Sequence, residues 1–281
     1  EKNLLDFGKV FVVGECPAFL QNVIHIPATD IFNPQVNADG NIINKVLAAC
    51  ADERLSDNFL FINDDHLVIK PIVAAEVPPL HKGDMRTYLP DFWKVNFWRK
   101  RLKRTMEELK RQGLTTYNFD CHAPIVFNKK QFQEVVQHFA WHTDIGFTMK
   151  SLYGNIVYAE NNDFLTDQKR TIFQSLTLKH ITERLEVPTF MSFNDGGVNN
   201  SLKWWLIDNF RNRSRFEKSD PEDKIFDVYS WEKNGRPWAE GVRIFKKYWT
   251  NPHLQDMFEI GETPVLRKKL EFKLNQLIGN L

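Results

Sequence analysis

The sequence predicts an α/β fold, and three observations carry that prediction. Lys9–Val13 (K-V-F-V-V) before Gly14, and Asn22–Ile26 (N-V-I-H-I) before Pro27, are apolar runs stopped by turn residues. Such runs suit strands covered on both faces, as in a parallel sheet. Ile43, Val46, Leu47 and Cys50 then recur at helical spacing within residues 42–50. Phe59–Ile62 (F-L-F-I) returns to strand, and strand, strand, helix, strand with short connections is an α/β order.

The remaining elements follow in turn. Leu67–Ile69 is a further apolar run of β-formers. Ala74–Pro90 carries Pro78, Pro79, Gly83 and Pro90 and reads as loop. Asp91–Gln112 predicts a long helix, Pro124–Phe127 a short strand and Lys129–Phe139 a helix. Phe147–Asp167 fits neither period, and Gly154 interrupts it. Ile172–Leu185 predicts a helix, Thr189–Phe193 a strand and Asn200–Phe210 a helix. The polar stretch Arg211–Lys224 marks a boundary, giving a main domain over residues 1–215 and a helical extension over 216–281. In the extension, Ala239–Thr250 and Val265–Leu277 read as helices separated by Pro252 and Gly261.

Composition narrows the function classes. The chain has 281 residues, 42% hydrophobic and 26% charged, enough to bury a full core and unlike a disordered chain. A net charge of +1 and the absence of a recognised motif argue against nucleic acid as a partner. Cys16, Cys50 and Cys121 are widely spaced with no C-x-x-C, so reduced thiols and a cytoplasmic location are expected. No apolar run reaches the length of a membrane span. The chain opens at Glu1 in mid-pattern, so a preceding segment is expected.

Three polar clusters sit where strands end, and open α/β sheets bind ligands at the carboxyl ends of strands. Asn63-Asp64-Asp65-His66 interrupts the apolar runs of N-F-L-F-I-N-D-D-H-L-V-I-K-P. Adjacent carboxylates there can hold a divalent cation against a diphosphate, although an Asx-turn is the commoner use of such residues. N-F-D-C-H-A-P-I-V-F-N-K-K places His122 before a strand and Lys129 and Lys130 at a helix start. A neutral imidazole suits proton abstraction and lysines at a helix N-terminus suit phosphate; a hydrogen-bonded structural histidine with solvated lysines is the alternative. T-F-M-S-F-N-D-G-G-V-N-N places Asn194 and Asp195 after a strand, or simply in an N-D-G-G turn.

Taken in order, these motifs resemble the Stealth family, sugar-phosphate transferases of bacterial capsule synthesis related to lysosomal N-acetylglucosamine-phosphotransferase. The family's second region is similar to residues 1–71, its third to C-H-A-P-I-V-F-N-K-K and its fourth to F-N-D-G-G. The likeness spans about residues 1–210, with Asp91–Gln112 poorly matched, and nothing here matches the family's first region, which helps hold the nucleotide. Either an upstream segment carries it or the donor site differs. The resemblance implies a nucleotide-diphosphosugar transferase-like (GT-A-like) sandwich with a mixed sheet. It also implies transfer of a sugar 1-phosphate from a nucleotide diphosphosugar to a glycan hydroxyl, with a divalent cation, Mg2+ or Mn2+. By that likeness Asp64 and Asp65 hold the metal and diphosphate and His122 is the base. Asn63, Asn194 and Asp195 line the site, with Asp65 and Asp195 counted among its catalytic residues. Lys129 and Lys130 offset phosphoryl charge, and Arg86 and Arg170 are further phosphate partners, since arginine forks suit phosphate.

Two other features bear on partners. Residues 94–104 hold Lys94, Arg99, Lys100, Arg101, Lys103 and Arg104 among Trp93, Phe97, Trp98 and Leu102. They read as a surface helix with inward aromatics, or as a peripheral contact with the inner face of an anionic membrane. Trp231, Trp238, Tyr248 and Trp249 in the extension read as anchors for its helices, with sugar stacking as the alternative. The rival functions are a metal-dependent glycosyltransferase of the same fold and a glycan-binding or assembly protein without catalysis.

Overall fold

The computed structural model describes residues 1–89, 96–160, 168–210, 212 and 214–218. The chain forms two compact units, one of Glu1–Arg170 with Pro188–Ser192, the other of Thr171–Val187 with Phe193–Leu281.

In the first unit the chain opens with β1 (Leu4–Leu5), β2 (Phe11–Val13) and β3 (Ile24–Ile26). β2 and β3 run parallel, Phe11 opposite Ile24 and Val13 opposite Ile26, as their apolar runs predict. α1 (Pro34–Cys50) starts earlier than its apolar spacing does. Asn33 caps it by accepting from the Gln35 N–H at 2.9 Å, and Pro34 follows where the helix needs no N–H. The helix kinks at Asn37, whose amide donates to the Trp141 and Thr143 carbonyls and accepts from the Gly40 N–H. Gly146, at φ +66°, makes room for that amide: a Cβ there would lie 2.2 Å from Asn37 Oδ1.

β4 (Asn58–Phe61), β5 (His66–Val68) and β6 (Ile72–Val73) follow, and β6 pairs parallel with β1. Of the proline-rich stretch expected as loop, the described residues 74–89 hold two 3₁₀ turns, Ala74–Glu76 and Met85–Tyr88, and an isolated bridge from Asp84 to Tyr117, and no longer helix or strand. α2 (Phe97–Arg111) starts later than the helix expected from Asp91: Asn96 is extended and caps it, accepting from the Arg99 N–H at 2.9 Å, and residues 91–95 lie outside the described residues. Only part of its basic run faces water. Arg101 is buried against Asp39 at 2.7 Å, and Arg104 lies 4.4 Å from the Phe147 ring centroid. Lys100 and Lys103 are exposed.

β7 (Ile125–Asn128) pairs antiparallel with β4, Asn58 opposite Asn128 and Phe61 opposite Ile125. Asn128 then caps α3 (Lys129–Gln137), accepting from the Gln131 N–H at 3.1 Å. The stretch that fits neither period contains α4 (Met149–Val157), which the core buries on nearly all sides. Phe127 stands at the centre of that core, its ring 4.9 Å from Phe132 and 4.6 Å from Tyr153, with Ile43, Leu102 and Leu109 packed around them.

β8 (Lys169–Ile172), α5 (Leu178–Arg184), β9 (Phe190–Phe193) and α6 (Asn200–Asn209) complete the described elements. Within the first unit β9 pairs antiparallel with β5, His66 opposite Ser192 and Val68 opposite Phe190. The helix expected from Ile172 is a correction. Ile172 ends a strand, and the helix starts only after Thr177, whose side chain accepts from the His180 N–H. In the second unit α5 packs on α6, and Asn199 caps α6.

The fold is therefore mixed α/β, with strands in small sheets of two or three among the described residues. Lys94 and the helices and aromatics expected beyond residue 218 lie outside the described residues. Among the described residues no helix is long and apolar enough to cross a membrane.

Candidate functional site

β4 leads into a reversal through Asn63–His66, closed by the His66 N–H donating to the Asn63 carbonyl at 3.1 Å. The acidic tetrad is thus a turn, and it is also where the chemically capable side chains gather. His66 begins β5 with its side chain fully enclosed (0% exposed), and its Nδ1 faces the Asn63 N–H at 3.4 Å. Burial, then the charges on Lys150, His122 and Lys169, hold its pKa far below the usual imidazole value, so the ring is neutral.

His122 lies just upstream of β7, separated from it by Ala123 and Pro124, in the left-handed region at φ +50°. That conformation is costly for a residue with a Cβ and is retained only when its surroundings fix it. They do so on both sides. The buried Cys121 thiol donates to the Leu80 carbonyl at 3.2 Å, and the Lys150 ammonium donates to the Ala123 carbonyl at 2.7 Å. His122 Nδ1 then lies 3.0 Å from Asp65 Oδ2, while His66 Nε2 lies 3.4 Å from Asp65 Oδ1. The Asp65 carboxylate sits between two imidazoles. In the neutral ring with its proton on Nδ1, donated to this carboxylate, the lone pair lies on Nε2, which has no hydrogen bond among the described residues. The His122 side chain is 52% exposed, so a substrate proton can reach it.

One donor atom from each of Asp65, His66 and His122 lies within 4.8 Å of the others, so the three could hold a metal ion. Buried charge surrounds them. Burial pushes the Lys150 ammonium below its ordinary pKa, opposed by Cys121, Asp120 and Asp65. Lys169 is pushed down to about 8, chiefly by burial with Lys82 and Lys150 adding to it, against Cys121 and Asp65. Asp120 accepts from the Trp98 indole N–H; burial would raise its pKa, but Lys82, His122 and that hydrogen bond keep it low. Asp65 interacts with both buried ammonium groups and opposes the fall in their pKa.

No protein-family model and no curated protein matches the chain.

Asp65 and His122 meet, and Asn63 closes the turn beside them. Asp64 is exposed and outside the three-residue cluster. The Lys129 ammonium donates to the Asp52 carbonyl at 2.8 Å, Lys130 faces Glu134 at 3.8 Å, and Arg86 lies 3.7 Å from Asp84. Arg170 donates to the Lys169 carbonyl at 3.1 Å. Asn194 and Asp195 belong to the second unit, where Asn194 accepts from the Gly197 N–H at 3.1 Å and Asp195 opens a 3₁₀ turn. His66, Lys150 and Lys169 carry no expected role in the sequence, yet all three stand at this corner. A lone lysine within the apolar stretch Phe147–Tyr153 was the available signal for Lys150.

Proposed function

We propose that the protein transfers a sugar 1-phosphate from a nucleotide diphosphosugar to a glycan hydroxyl, with His122 as general base. The observation that carries this reading is the 3.0 Å contact between Asp65 and His122, a base oriented by a carboxylate and open to solvent. The motif order shared with the Stealth family supplies the substrate class, and a GT-A-like fold is part of the proposal.

In the proposed reaction His122 Nε2 takes the acceptor hydroxyl proton as that oxygen attacks the sugar-bearing phosphorus. The new P–O bond forms as the bridging P–O bond breaks, and the nucleoside monophosphate leaves with the electron pair. Asp65 holds the tautomer beforehand and stabilises the imidazolium afterwards, as the carboxylate of a Ser-His-Asp triad does. Buried Lys150 and Lys169 favour an anionic donor at this corner. Lys150 also holds the Ala123 carbonyl next to the base. The Mg2+ or Mn2+ expected from the resemblance finds a poor set of donors here. The three residues that could hold an ion offer two imidazoles and one carboxylate, whereas those ions favour oxygen. In this proposal the proton and phosphoryl steps are assigned to protein groups. Peripheral contact with an anionic membrane would rest on Lys100 and Lys103, since Arg101 is turned inward.

The nucleotide released decides the reading. The full chain, incubated with a panel of nucleotide diphosphosugars and glycan acceptors, is expected to release nucleoside monophosphate, and His122→Asn to lose at least about 100-fold in rate. Release of nucleoside diphosphate would make it a glycosyltransferase instead. Unchanged turnover in His122→Asn would remove the base.

A further inference from the structure

We propose that Asp65, His66 and His122 also form a binding site for Zn2+ or an ion of similar softness, and that this ion and the base role of His122 exclude one another. Two independent observations support the site. The three side chains each present a donor atom within 4.8 Å of the others. Separately, His66 Nε2 is buried in a fully enclosed side chain and has no hydrogen-bond partner. Asp65 Oδ1 lies 3.4 Å from it, outside hydrogen-bonding geometry. A buried polar atom left unsatisfied is costly, and a bound ion would satisfy it.

The donor set selects the ion. Two imidazoles and one carboxylate suit Zn2+ and its neighbours among transition ions, and three protein ligands leave a position open to water or substrate. His66 would be the enclosed ligand and His122, 52% exposed, the solvent-facing one. The proton balance gives the antagonism. When His66 binds through Nε2, its proton moves to Nδ1 at the expense of the long 3.4 Å contact with the Asn63 N–H. When His122 binds through Nδ1, its proton moves to Nε2, and the lone pair that would accept a substrate proton is lost. No net proton is released, and Asp65 stays a carboxylate. Binding stands independently of the transferase reading; only the antagonism rests on it.

The test uses the full chain, stripped with EDTA, freed of chelator and titrated with Zn2+ against a chromophoric competitor, with Mg2+ in parallel. A single Zn2+ equivalent is expected, undisplaced by millimolar Mg2+. His66→Asn and His122→Asn should each weaken it by more than the roughly 10–100-fold that loss of a supporting neighbour costs. Asp64→Asn should leave it unchanged. Because the His122 side chain is exposed, its variant is informative even if His66→Asn unfolds. Equal Zn2+ binding by wild type and His122→Asn, or displacement by Mg2+, would overturn the site. In the transfer assay Zn2+ should inhibit and EDTA restore turnover, and stimulation by Zn2+ would overturn the antagonism. Site-specific Zn2+ binding with no transfer in the metal-free chain would remove the transferase reading alone.

Discussion

The enclosure of His66 has a direct consequence for acid stability. Its ordinary pKa is 6.5, and burial, then nearby Lys150, His122 and Lys169, hold it far lower in the folded chain. Below pH 6.5 the unfolded chain binds a proton at this residue that the folded chain refuses. Stability from this group is therefore fully present above pH 6.5 and is lost as pH falls. One such group gives a slope of about 1.4 kcal/mol per pH unit, or about 2 kcal/mol between pH 6.5 and pH 5. Other groups titrate over the same range, so the measured quantity is a difference. Urea unfolding of wild type and His66→Gln, followed by circular dichroism in EDTA at several pH values, should show their stability gap shrinking by that amount as pH falls. A gap that stays constant from pH 7 to pH 5 would mean that His66 protonates normally in the fold. The enclosed neutral imidazole would then be wrong.

Three further outcomes follow from the geometry. Phe127→Ala removes the ring at the centre of the core, and denaturant unfolding should show a loss of about 3–5 kcal/mol. Gly146→Ala puts a Cβ 2.2 Å from Asn37 Oδ1 at φ +66°, and thermal melts should show about 1–3 kcal/mol of destabilisation. Lys169 has its pKa depressed to about 8 from 10.5, so below pH 8 its burial costs the fold, and the cost is relieved as pH rises between those values. Stability measured from pH 8 to pH 10 should rise by up to about 1.4 kcal/mol per pH unit relative to Lys169→Met.

Element types were largely legible in the sequence because period and punctuation report them locally. β2, β3, β4, β7 and α3 fall where apolar runs, Gly14, Pro27 and Asn128 put them. Their partners were not legible. Nothing local to Phe59–Ile62 says that it pairs antiparallel with a strand more than sixty residues on, and register is a property of the assembled sheet. The Asn33-Pro34 start of α1 was a readable signal, overshadowed by the apolar spacing further along. Ile172 and Thr171 favour strand, and Thr177 offers the later cap, so the helix drawn from Ile172 ignored two local cues.

The site was half legible. Chemical type pointed to Asp65 and His122, and the structure brings them together. Asp64 and Asp65 look alike in sequence, yet the turn exposes one and sets the other between two imidazoles. Lys129 looked like a phosphate ligand at a helix start, but its stem reaches the Asp52 carbonyl instead. The buried lysines were hidden because burial of a charge depends on partners distant in the chain. Lys150 finds the carbonyl of Ala123, 27 positions away.

In the proposed reaction Asp65 and His122 act as one unit. A double-mutant cycle on the transfer rate measures this, with Asp65→Asn, His122→Asn and the pair, each checked for folding. If the carboxylate works only by orienting and stabilising the imidazole, the double variant should be no slower than His122→Asn alone. Asp65→Asn should itself lose about 10²–10⁴-fold. Losses that multiply, or a His122→Asn variant that keeps the wild-type rate, would mean that the carboxylate and the imidazole do not work as a pair.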